Sequence, residues 1–126
     1  MTTRHAHFRL FAIVILSVAA LSACVTMQGK TPEARADALY AKFTIAEARG
    51  AALIKDASVP DHIKQAIQDA DREASPVIEE MDAASVGLSR LRIEKPEDVP
   101  GAINALNEII TRATPLVSTY QRRVAQ

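Results

Sequence analysis

A single cysteine (Cys24), no tryptophan and an aromatic content of only 4% are the first shortages of this chain. One thiol cannot close an intrachain disulfide or build a cysteine-based zinc site. With so few aromatic rings, stacking platforms for nucleobases or sugars are excluded as a basis for binding. An excess of either charge is missing as well, since 15 basic side chains face 15 acidic ones among 126 residues. A nucleic-acid binder needs a basic face, so no nucleic-acid partner is expected. No run shows the alternating period of a strand bounded by hairpin turns. Nor does the chain carry a glycine-rich phosphate loop, a nucleophile elbow or a His/Cys cluster.

What is present begins with an unusual N-terminus. Met1 to Arg9 holds Arg4, Arg9, His5 and His7 and no acid, and Leu10 to Leu16 is unbroken apolar sequence. Small residues dominate from Ser17 to Ala23, just before Cys24. A basic segment, a short apolar core and small residues at a cut site describe a secretory leader. The apolar part, about 14 residues, falls short of the roughly 20 that a spanning helix needs.

Leu21-Ser22-Ala23-Cys24 resembles the lipobox of bacterial lipoproteins: an aliphatic residue, two small residues and the cysteine. The resemblance covers the first 25 or so residues only. It implies cleavage before Cys24, a diacylglycerol on the Cys24 sulfur and an acyl group on the new amine. Several acyl chains anchor stably where one does not. On this reading residues 1–23 are the signal peptide and 24–30 a lipidated tether. Val25 stands where an Asp would be the usual signal for inner-membrane retention in Gram-negative lipoproteins, so the resemblance favours the outer membrane, facing the periplasm. Loss of Arg4 and Arg9 would leave 13 basic against 15 acidic side chains. Val124-Ala125-Gln126 offers no lysine of the kind that joins murein lipoproteins to peptidoglycan.

Residues 31–126 read as one helical domain of modest core. Thr31-Pro32-Glu33 is a helix start, with a capping hydroxyl, a first-turn proline and acids at the positive end of the dipole. Ala36, Leu39, Phe43, Ala46, Gly50, Leu53 and Ala57 then recur at spacings of three and four, the seam of an amphipathic helix. Tyr40, Ile45 and Ile54 flank it. Ser58 and Asp61 are spaced like a capping box for a second helix. Its expected seam is Ile63, Ile67, Ala70, Ala74, Val77, Met81, Ala84, Leu88 and Leu91. That rhythm passes Pro76 without slipping, which predicts one long helix kinked at the proline rather than two short ones.

Lys95 to Gly101, with Pro96 and Pro100, reads as the second connection. The third helix carries the widest apolar face: Ala102, Ile103, Leu106, Ile109, Ile110, Ala113, Leu116, Val117, Tyr120 and Val124. Such breadth suits contact with two partners, and Pro115 predicts a second bend. The expected fold is all-α, an up-down-up antiparallel three-helix bundle. A helical hairpin that completes its core by oligomerising is the alternative, because alanine-rich seams bury little area per side chain. The oligomeric state is left open.

Candidate chemistry is sparse. His62 sits beside Asp61 in a first turn, with no second ligand or orienting partner at helical spacing. Asp69, Asp71, Glu73, Glu79, Glu80 and Asp82 crowd helix two, and Glu79 with Asp82 could hold a cation or do acid–base work. A solvated face with weak ion pairs explains them more simply. Ser75, Ser85, Ser89 and Ser118 lack an activating histidine. No catalytic, metal or cofactor site is therefore expected, and Cys24 is the one site residue, for lipidation. The chain reads as a lipid-anchored envelope protein that docks on another envelope protein through its helical domain. The alternative is a binder of a lipid or hydrophobic peptide in a groove between helices opened near Met81 and the proline bends.

Overall fold

The computed structural model describes residues 31–125; the leader, Cys24 and the tether fall outside them. Helix α1 runs Pro32–Lys55, α2 runs Asp61–Glu94, and α3 runs Val99–Val124. A short 3-10 turn, Pro96–Asp98, precedes α3. All three helices pack on one another. Arg92, near the end of α2, donates to Glu33 at the start of α1 at 2.9 Å, so these two helices are antiparallel. Gly50, late in α1, lies beside Val124, late in α3, so α1 and α3 run the same way. The topology is up-down-up, as the seams predicted.

Thr31 caps α1 as expected, its Oγ1 accepting from the Ala34 N–H at 3.1 Å. The helix stops earlier than the seam suggested. Asp56 leaves the helical region at φ −80° and ψ 116°, which puts Ala57 in an exposed turn and not on the seam. The Asp56 carboxylate then accepts from both the N–H (2.9 Å) and the hydroxyl (2.7 Å) of Ser58. Those two donors, the hydroxyl first, hold its carboxyl below the ordinary carboxylate range. Ser58 is thereby taken by the turn. The expected Ser58–Asp61 capping box does not form, and α2 starts behind Pro60 without a side-chain cap.

Helix α2 continues unbroken for 34 residues through Pro76, and α3 continues through Pro115. Both prolines lie on exposed positions, where the lost N–H and the crowded ring face solvent. The buried line of α2 is Ile67, Ala70, Ala74, Ile78, Met81, Ser85 and Leu88. Ile78 and Ser85 thus take the core places expected for Val77 and Ala84, which are half-buried. The two lines share Ala74, Met81 and Leu88 and have the same mean spacing. They differ in two adjacent pairs, about 100° apart around the helix, and in each pair the second residue is the one that faces the core.

Helix α3 starts at Val99 and includes Pro100 and Gly101, so the connection is shorter than the expected Lys95 to Gly101. A proline in the first turn forfeits only an N–H that no helical partner would take. Its expected face is correct: Leu106, Ile109, Ile110, Ala113, Val117, Tyr120 and Val124 are buried, with Ala102, Ile103 and Leu116 packed at the edges. Every member of the core lies between Ala36 and Val124, so the bundle closes its core within one chain. Ser85 is its polar exception, and no buried side-chain N or O among the described residues lacks a partner.

One junction is tighter than the rest. A Cβ placed on Gly50 would stand 2.9 Å from Ile67 Cγ2, 3.0 Å from the Tyr120 hydroxyl and 3.4 Å from Val124 Cγ1. Gly50→Ala gains up to about 1 kcal/mol of helix propensity, yet it overpacks against a fully buried β-branched side chain, at a cost of about 1–3 kcal/mol. Denaturant unfolding should therefore show Gly50→Ala less stable than the parent. Leu106→Ala, at a fully buried site, should cost about 2–5 kcal/mol. Glu108→Ala on the exposed face should stay within roughly 0.5 kcal/mol in the same assay.

Candidate functional site

An open groove of about 620 Å³ lies between α1 and α2. Glu47, Ala51 and Ile54 line it from one stripe of α1, and Gln68, Asp71, Arg72, Ser75 and Pro76 from α2. Tyr120 of α3 reaches it from beneath. The tyrosine is only 2% exposed, with its ring 5.8 Å from that of Phe43 at a tilt of 54°. Such a tilted pair is favourable for aromatic quadrupoles. Gly50 gives the phenol room: a Cβ there would stand 3.0 Å from the hydroxyl oxygen and crowd it.

The hydroxyl meets a negative field. Burial first, then the charge of Asp71 and a hydrogen bond with it, then the charge of Glu47, push its pKa well above the ordinary tyrosine value of 10.0. Asp71 also accepts a long contact of 3.4 Å from the Ser75 hydroxyl. The Arg72 guanidinium turns along its own helix to Asp69, at 3.4 Å, with both side chains at least half exposed. An ion pair so wet contributes little to stability.

The residues singled out in sequence are not brought together. Cys24 falls outside the described residues. His62 is exposed in the first turn of α2. Glu79 and Asp82 are exposed, and among the described residues no group of three or more His, Cys, Asp or Glu could hold a metal ion. Glu80 instead accepts from Arg112 of α3 at 2.8 Å. Met81 is fully buried, so the expected opening between helices at that residue is filled by the core. The sequence pattern places Tyr120 as one more apolar seam member and does not mark its hydroxyl as lying beside a groove. A usable signal existed: a lone tyrosine on an aliphatic face, with a glycine on a facing seam.

Among the described residues no helix is long and apolar enough to cross a membrane. No family model matches the chain, and neither does any curated protein or solved structure.

The Tyr120 environment has a consequence for alkaline stability. The folded state keeps the phenolic proton more tightly than the unfolded chain does. Its stabilising contribution is thus full below pH 10.0 and is lost as the pH rises beyond it. Denaturant midpoints should fall with increasing pH above that value, and Tyr120→Phe should make the fall shallower whatever it does to stability at neutral pH.

Proposed function

We propose that this chain is a lipid-anchored protein of the bacterial cell envelope, held on the periplasmic face of the outer membrane, whose three-helix domain serves as a structural or protein-interaction module. The observation that carries this reading is Leu21-Ser22-Ala23-Cys24 at the end of a basic-then-apolar leader. Its support is the economy of the arrangement: six residues, Val25 to Lys30, separate that cysteine from the capping Thr31 of a domain with its own core. A thiol consumed by a lipid thioether is also no redox liability in an oxidising compartment. The alternative, an apolar ligand held between the helices, draws less support because Met81, Leu88, Leu106 and Val117 already fill that space.

The test is metabolic labelling with a fatty-acid analogue. Wild-type protein should take up label and lose its leader, whereas Cys24→Ser should remain an unlabelled, full-length precursor. Undiminished label on the Ser variant defeats the reading.

A further inference from the structure

Helix α1 is apolar on both of its long faces. One face gives Ala36, Leu39, Phe43, Ala46 and Gly50 to the core. The opposite face, where a surface helix ordinarily carries its polar residues, holds Ala38, Ala41, Ile45, Ala48 and Ala52, all exposed. Ile45 is 70% exposed, so the bundle itself does little to cover it.

Along the α3 border of that face runs a row of cations, Arg35, Lys42 and Arg49, one every seven residues and all exposed. The row is about 21 Å long. None of the three takes part in an ion pair among the described residues. Arg35 donates to the Asn107 side chain, and Lys42 and Arg49 flank a shallow depression with Ile45, Gln121 and Val124. The surface on the α3 side of the row is therefore amide and aliphatic, with no acid to offset the charge. Two of the three acids of α1 face α2 instead: Glu33 pairs with Arg92, and Glu47 lines the α1–α2 groove. The third, Asp37, stands across the alanines from the row by helical spacing. The imbalance extends to whole helices. Helix α2 has eight acidic side chains against four basic ones, whereas α1 and α3 together have seven basic against four acidic. The domain thus has a positive side and a negative side, and a charged surface will orient it.

An apolar face with a cationic border suits an acidic protein or an anionic bilayer. Protein interfaces are anchored by large side chains seated in fitted pockets. Short alanines around one isoleucine offer no such fit, and the depression beside Ile45 holds only about 130 Å³. A bilayer requires no shape complementarity. It accepts a shallow apolar strip at the headgroup boundary, while lysine and arginine stems carry their charges to the phosphates.

We propose that the outer face of α1 lies on an anionic phospholipid surface, with Ile45 at the headgroup boundary, Arg35, Lys42 and Arg49 on lipid phosphates, and the acidic side of α2 turned away. The proposal rests on the membrane setting proposed above and adds which side of the domain meets the bilayer. It does not depend on how Cys24 is modified in the cell, so the two stand or fall by different measurements.

Residues 24–126 can be coupled through the Cys24 thiol to a maleimide-bearing lipid in nanodiscs, which holds the domain near a bilayer at high effective concentration. A lipid carrying a gadolinium chelate then broadens the NMR signals of the amides that face the membrane. On discs containing phosphatidylglycerol, broadening should follow Ala38, Ala41, Ile45 and Ala48 and spare Glu79 and Asp82. On phosphatidylcholine discs it should stay near the coupling point, as it should on either lipid at about 1 M salt, where the Debye length is about 3 Å. Lys42→Gln and Arg49→Gln, both at exposed positions, should each lower the docked-to-undocked ratio about fivefold. Ile45→Ser should lower it as well. Equal patterns on the two lipids, broadening spread around the domain or centred on α2, or no loss in the Gln variants would overturn the proposal. So would a face that phosphatidylglycerol leaves untouched but that soluble polyglutamate or raised protein concentration perturbs, which would assign it to an acidic protein or a second copy.

Discussion

The bundle depends on the contact at which α1 has no side chain. At Gly50 the backbone of α1 comes close enough to Ile67 and Tyr120 that a single methyl group would not fit. This approach lets the phenol of α3 pass beneath α1 and lets its ring lie against Phe43. Toward the other end the same principle continues with alanines. Ala36, Ala46, Ala70, Ala74 and Ala113 are all nearly or fully buried, and the large side chains Ile78, Met81, Leu88 and Leu106 fill the space between them. Small residues bring the axes together, and large ones fill what remains. The helices are held by shape more than by charge, because the ion pairs Arg72–Asp69, Arg92–Glu33 and Arg112–Glu80 all sit in partly or largely solvated positions.

Against that background the internal prolines are tolerable. Each removes one backbone hydrogen bond from a helix packed along its length against both neighbours, and each does so on an exposed face. Helical stability in such a domain comes from tertiary packing of the apolar stripe more than from local propensity. A residue that would break an isolated peptide helix therefore leaves α2 and α3 continuous.

The architecture was legible because the apolar residues recur with helical period and the connections are short. Leu106 through Val124 could be placed on the core side almost residue by residue, since a wide face leaves little choice of phase. Helix α2 was harder. Val77 and Ile78 are both apolar and adjacent, and a step of three or of four from the buried Ala74 admits either one. Helix ends were hardest. Ser58 has two possible partners, the following helix and the preceding Asp56, and spacing alone cannot say which one its hydroxyl takes. The groove was least legible of all, because Glu47, Asp71 and Tyr120 come from three different helices. No pattern along the chain announces such a convergence, whereas Leu21-Ser22-Ala23-Cys24 is contiguous and stands out in the sequence itself.

The odd number of helices among the described residues has a geometric consequence. An even bundle returns its last residue to the end where the first one began; here Thr31 and Val124 lie at opposite ends. Helix α1, 24 residues long, spans about 36 Å. The groove near Ile54 and Tyr120 therefore opens at the end of the domain away from Thr31, so what enters by the first helix's N-terminus and what meets the groove are separated by most of the length of the bundle.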